Sequence, residues 1–257
     1  MITKHMKKVS ILALLCITST YADIIGGEIS VGTYAHNPSG TASYSIPQVG
    51  IGSEASLEET FGWETDNDFM FKAYIEHPIP FIPNFKLGHT HFKHSGSGLS
   101  KDFTWGNLVD FSGKLDSSID MGMTDATAYY EVLDNYIELD LGLTLRYLFG
   151  DITLTPTTTA STVSDLTSYS ILVPMVYGKV RLNIPSTNFA VQLETNVANY
   201  SDTTLYDYEI GVRYTFSSGL GIESGIKALH LESTDLVDGL NMDLDENGFY
   251  ASVLWDF

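Results

Sequence analysis

The chain has 257 residues, with 13 Lys+Arg against 32 Asp+Glu and a formal charge of −19 at pH 7. That balance excludes nucleic acid as a partner, because phosphate recognition needs a basic stripe, and it argues against a helix lying on anionic lipid. Yet 44% of the residues are hydrophobic, with 15 Tyr and 13 Phe, which is not the composition of a disordered acidic tail.

In chain order, the first predicted element is a leader. Lys4, Lys7 and Lys8 precede an apolar run over 9–18, and Thr20-Tyr21-Ala22 offers small residues at the −3 and −1 positions of a cleavage point. This pattern predicts a signal peptide over residues 1–22 and a mature chain starting at Asp23, because the run is too short to span a bilayer as a helix. Cys16 is the chain's one cysteine and falls in this leader, where it reads as a small hydrophobe. Removing the three lysines takes Lys+Arg from 13 to 10 against 32 acids, so the formal charge becomes −22. The remainder, 23–257, carries one continuous pattern and reads as a single domain.

That pattern is alternation, which places successive side chains on opposite faces of a strand. Ile29 and Val31 alternate with Glu28 and Ser30; Phe69, Phe71, Ala73 and Ile75 with Lys72 and Glu76. Noisier strands follow near Phe85 and over 119–130. The most regular run covers 136–149, with Ile137, Leu139, Leu141, Leu143, Leu145, Tyr147 and Phe149 against Glu138, Asp140, Gly142, Thr144 and Arg146. A segment over 169–183 contains Pro174, which predicts an edge or a bulge. Phe189–Val197, Tyr206–Phe216 and Leu220–Ala228 alternate again, and the chain ends on Phe249, Ala251, Val253, Trp255 and Phe257. About ten strands result, each long enough to cross a bilayer at a tilt. Short connections (78–84, 131–135, 185–187, 217–219) alternate with longer ones (36–67, 96–114, 152–166, 200–203, 233–246), as when one rim has tight turns and the other faces outside. Backbone groups in lipid must all be paired, so the meander is expected to close into an antiparallel up-and-down β-barrel. A soluble secreted β-sandwich is the alternative; strand length and loop asymmetry oppose it.

The terminal strand resembles the assembly signal of bacterial outer-membrane barrels, with Phe249, Trp255 and Phe257 as the residues that would engage the barrel-assembly machinery. The segment Asp23-Ile24-Ile25-Gly26-Gly27 is similar to the start of a family of outer-membrane β-barrel proteins marked by a Gly-Gly pair after the signal peptide. Glu76-His77-Pro78-Ile79-Pro80-Phe81-Ile82-Pro83-Asn84 resembles that family's proline-rich first turn, and Tyr129–Asn135 a later one. The resemblance implies the outer membrane of a Gram-negative bacterium, with lipid as the surrounding partner. It lends no activity and no catalytic residue.

The alternation assigns Glu28, Lys72, Glu76, Asp120, Glu138, Asp140, Arg146, Lys179, Arg181, Glu194, Glu209, Arg213, Glu223 and Lys227 to the lumen. Glu138, Asp140, Arg146, Glu209, Arg213, Glu223 and Lys227 are the expected charge network, with Arg146 and Arg213 neutralising Glu138, Asp140 or Glu209. A barrel of about ten strands is too narrow for a broad aqueous channel, so paired charges are expected to plug it. His89 and His91, two apart on one strand face with His77 and His94 nearby, could ligate Zn²⁺, but polar filling or a rim position is the plainer expectation. Asp243, Asp245, Asn247 and Gly248 match the first half of an EF-hand loop by their spacing. The twelfth position of that loop is Leu254 instead of Glu, so an acidic surface loop with Asp235 and Asp238 is expected. His94-Ser95-Gly96-Ser97 places His beside Ser without any nucleophile motif. No catalytic, cofactor-binding or metal-ligating residue is therefore assigned. The expected function is an outer-membrane barrel with a largely plugged polar interior and a structural or interaction role or slow small-solute passage; a narrow channel and, behind it, a barrel enzyme are the alternatives.

Overall fold

The computed structural model describes residues 25–157, 165–200, 202–237 and 239–257. The predicted leader, Cys16 and Asp238 lie outside these residues. The wall consists of β1 (Gly26–Tyr44), β3 (Asp66–Glu76), β4 (Asn84–Trp105), β5 (Leu108–Asp134), β6 (Ile137–Pro156), β7 (Asp165–Asn183), β8 (Phe189–Tyr200), β9 (Thr203–Thr215), β10 (Leu220–Val237) and β11 (Leu240–Asp256). A two-residue strand, β2 (Ala55–Ser56), pairs with the far end of β1. Consecutive wall strands are antiparallel neighbours, and β11 pairs with β1 from Glu28↔Asp256 to Tyr44↔Leu240. The sheet is closed. A ladder followed from Gly27 through Ile75, Phe85, Ala128, Leu143, Val176, Val197, Tyr206, His230 and Asp245 returns to β1 at Ser39. That stagger is what tilts the strands of a closed barrel.

Near the rim that carries both chain ends, the alternation sorts residues as the sequence predicts. On β6, Leu141, Leu143 and Leu145 are exposed outward while Asp140, Thr144 and Arg146 are buried inward. The same outward belt continues through Ile29 and Val31, Ile75, Leu87, Val176, Val191 and Leu193, Ile210 and Val212, Ile222 and Ile226, and Val253. An apolar surface that encircles the molecule far exceeds what a soluble monomer exposes, and its solvent is lipid. Aromatic residues edge the belt: Phe85, Tyr130, Phe189 and Phe216 towards the termini, Phe69, Tyr147, Tyr206 and Phe249 on the far side.

Beyond the belt the structure departs from expectation. The predicted loop 96–114 is mostly strand: β4 and β5 run for 22 and 27 residues and meet at Gly106-Asn107. β10 and β11 likewise continue through 233–246, so Asp243 and Asp245 sit on a strand and not in an acidic loop. The physical reason is that the alternation inverts. Outward positions such as Lys93, Ser95 and Ser97 are polar, while inward ones such as Trp105, Leu115 and Ile119 are apolar and buried. Asp120 is corrected on the same ground: it is exposed, and Ile119 and Met121 take the inward face of β5. Pro174 lies past the last β7–β8 pair, Val176↔Val197, and is paired on one side alone, with Leu145 of β6, an edge-like position of the kind proline takes.

The seam is finished by the last residue. The Gly27 N–H donates to the Phe257 carbonyl at 2.9 Å and the Phe257 N–H to the Gly27 carbonyl at 2.9 Å. A Cβ on Gly27 would stand 3.0 Å from the Phe257 ring and 2.7 Å from the Tyr74 carbonyl, so no larger residue fits there without displacement.

Candidate functional site

The interior has two storeys of opposite character. In the storey nearer the termini, the inward cations Lys72, Lys86, Arg146, Lys179, Arg181, Arg213 and Lys227 each touch a carboxylate. Arg146 binds Asp125 through Nε and Nη2 at 2.7 and 2.6 Å, and Asp207 through Nη1 at 2.5 Å. Lys179 binds Asp140 at 2.9 Å and Arg181 binds Glu138 at 3.2 Å. Arg213 pairs with Glu28 and, at 3.3 Å, with Asp256; Glu209 lies between Lys72 and Lys227. Glu223 makes no ion pair within 4.0 Å among the described residues but accepts from Tyr250 Oη at 2.6 Å and Gln192 Nε2 at 3.0 Å. The expected partners of Arg146 and Arg213 are thus corrected: neither meets Glu138, Asp140 or Glu209. Asp125 faces Arg146 from the neighbouring β5, but Asp207 reaches it from β9, and Glu28 and Asp256 reach Arg213 from β1 and β11; meetings of this kind are not readable from one strand's alternation. Between these groups remains a cavity of about 20 Å³, lined by Glu28, Lys72, Lys86, Arg181, Glu194 and Glu223 among others. That is room for about one water molecule.

The far storey is an apolar core. Phe103, Trp105, Leu108, Leu115, Ile152, Leu154, Leu231, Leu240 and Met242 project inward and are buried. The connection between β1 and β3 folds into it: Leu57, Phe61 and Trp63 are buried, Phe61 packs edge-on against Trp105 at 5.4 Å, and Trp63 Nε1 donates to Ser117 Oγ at 2.9 Å. Gly96 and Gly98 make room for it, since a Cβ at either would stand 2.0 or 1.9 Å from the carbonyls of Gly62 and Thr60.

At the junction of the storeys lies a cluster of three fully enclosed groups, His36 on β1, His94 on β4 and Glu246 on β11. Of their strand neighbours, Asn37, Lys93, Ser95, Asp245 and Asn247 are polar and Ala35 pairs with Phe249 at the far edge of the belt, which places the cluster just beyond it. His36 Nδ1 is 2.8 Å from Glu246 Oε2, and His94 Nε2 is 2.9 Å from Glu246 Oε1. The opposite ring nitrogens are also engaged: His36 Nε2 with Asp68 Oδ2 at 3.2 Å, His94 Nδ1 with the Glu64 carbonyl at 2.9 Å. Tyr34 and Trp63 stack on the two imidazoles and Phe92 packs edge-on, so the site is dry. Burial alone would lower the His94 pKa, but the hydrogen bond to Glu246 and its charge hold it above the ordinary imidazole value. Burial would raise Glu246, but hydrogen bonds from the two histidines hold it below the ordinary carboxylate value.

The other histidines that the sequence singles out, His77, His89 and His91, do not join this cluster. His89 and His91 face outward, His89 bonded to Thr124 Oγ1 at 2.9 Å and His91 between Asp68 and Asp120 at 3.2 and 2.8 Å, while His77 sits in the first turn. His94 is on the opposite face of the strand. The same alternation separates His94 from Ser95 and Ser97, which point outward, Ser97 to Asp116. Sequence reasoning misses His36, Glu246, Lys86, Asp125 and Asp207. Asp207 alternates with Tyr206 and Tyr208 and is open to a period-two reading, whereas His36 and Glu246 lie in stretches that read as loops.

No protein-family model matches the sequence, and no curated protein sequence matches it significantly. Among solved structures, the outer membrane protease OmpT from Escherichia coli superposes with a TM-score of 0.54 and 11% identity, over 91% of this chain and 97% of that one. The attachment invasion locus protein Ail of Yersinia pestis aligns over 90% and 99% of the two chains, with a TM-score of 0.38 and 9% identity. Identity this low carries the fold and nothing of the activity. Closure, the lipid belt and the OmpT likeness together identify the chain as an outer-membrane β-barrel.

Proposed function

We propose that this barrel is a non-conducting structural or interaction protein, which holds a rigid strand-built extension outside the membrane. The observation that carries this is the double closure of its interior: paired, buried charges cross one storey and leave among Glu28, Lys72, Lys86 and Glu223 a cavity of about 20 Å³, and an apolar core with Leu57, Phe61 and Trp63 fills the other. Strand alternation separates His94 from Ser95 and Ser97, so catalysis forms no part of the proposal. Purified protein in planar bilayers should show no steady conductance. Discrete open-channel steps would overturn the reading and favour a narrow channel.

We further propose membership of the Gly-Gly family, whose glycine pair lies here against the terminal aromatic, and recognition of Phe249, Trp255 and Phe257 by the assembly machinery. Deleting Phe257 removes both seam hydrogen bonds and the ring, and should lower the heat-modifiable fraction in outer membranes several-fold. Asp256→Asn loses one half-exposed ion pair, worth about 0–1 kcal/mol, and should assemble normally. Equal assembly of the two variants would contradict this role.

A further inference from the structure

We propose that His36, His94 and Glu246 form a binding site for one divalent transition-metal ion of the Zn²⁺ class, which clasps β1, β4 and β11 where the two storeys meet. His36, His94 and Glu246 each offer a ligand atom within 4.8 Å of the others, with His36 Nδ1 against one Glu246 carboxylate oxygen and His94 Nε2 against the other. Each Glu246 carboxylate oxygen meets one imidazole nitrogen, and each opposite ring nitrogen meets a second partner, Asp68 Oδ2 or the Glu64 carbonyl. A bound M²⁺ displaces to solvent whatever protons lie between its ligand atoms.

Two imidazoles and a carboxylate suit Zn²⁺, at metal–ligand distances of about 2.0–2.2 Å. The present 2.8 and 2.9 Å contacts need to widen by only a few tenths of an ångström to admit it. The surrounding contacts are those that metal-bound histidines use: the free ring nitrogens donate to a carboxylate and a carbonyl, which fixes tautomer and ring plane. Asp68 is itself held by the Lys93 N–H at 2.6 Å and by His91. Stacked Tyr34, Trp63 and Phe92 exclude water, so both carboxylate oxygens can complete a closed, structural coordination shell. The second such group, His230 with Asp243 and Asp245, is partly exposed and offers a control.

The test uses the full-length protein, extracted in detergent, stripped with chelator and reloaded with Zn²⁺. One Zn²⁺ per chain should remain after gel filtration and should raise the thermal midpoint. X-ray absorption of the loaded wild type should show two imidazole nitrogens. His94→Gln and Glu246→Gln, each checked for heat-modifiable migration, should weaken Zn²⁺ at least about 100-fold, Asp68→Asn about 10–100-fold, and Asp243→Asn not at all. The proposal is overturned by a wild type that retains no Zn²⁺, by an oxygen-only shell, or by loss in Asp243→Asn with retention in Glu246→Gln. Because the wild-type spectrum stands alone, failure of a variant to fold leaves the proposal testable.

Discussion

Arg146→Ala should destabilise the barrel by about 3–5 kcal/mol, since it removes one side of a buried ion-pair group and strands the others. Arg146 is 1% exposed, and its guanidinium bridges Asp125 on β5 and Asp207 on β9 across the lumen. Without it the Asp125 and Asp207 carboxylates lose their shared cation while remaining largely buried. Urea unfolding in detergent micelles measures the loss. Lys114→Ala, whose partner Asp116 is 3.9 Å away on the exposed extension, should cost about 0–1 kcal/mol. Restoring charge balance with apolar residues, as in Arg146→Met with Asp125→Leu and Asp207→Leu, should recover most of the loss. Equal midpoints for Arg146→Ala and the parent would show that the lumen is hydrated, which would also undermine the non-conducting reading.

Trp105→Ala should cost about 3–5 kcal/mol as well, through a cavity instead of a charge. Its ring is fully buried among Phe61, Tyr44 and Phe103, and its Nε1 donates to Thr167 Oγ1 at 3.4 Å. The loss should be local, because the belt and the ion network lie in the other storey. Limited proteolysis should cut the connection 45–65 readily in the variant, while heat-modifiable migration persists. A connection that stays resistant would mean that it is not held by this core.

The two variants also mark the boundary of what is legible in the sequence. Inside the belt, Leu141, Leu143 and Leu145 against Asp140 and Arg146 announce a strand, its faces and its lumen, because lipid outside and charge inside give period-two contrast of one sign. Beyond the belt the contrast changes sign, as Ser95 and Ser97 against Trp105 and Leu115 show. A reader who expects apolar residues outside then takes the segment for a loop. Partners such as Arg146 and Asp207 meet across the lumen, and His36, His94 and Glu246 converge from three strands. Such meetings depend on stagger around the closed sheet, which no single segment encodes.

The strand-built far extension also governs how this protein can vary. In a barrel with true loops, residues outside the membrane drift in length without penalty, and immune or phage pressure is met by insertion. Here β4, β5, β10 and β11 carry their pairing almost to the hairpin tips. Within the regular part of such a ladder an inserted residue reverses every side chain beyond it unless a bulge takes it up, and the register shifts between Ser100 and Trp105 and between Ser233 and Val237 mark where that is already tolerated. Length change is confined to these irregular stretches and to tips such as Gly106-Asn107. What an antibody or phage meets along the walls is a fixed lattice of outward side chains, open to substitution but closed to remodelling.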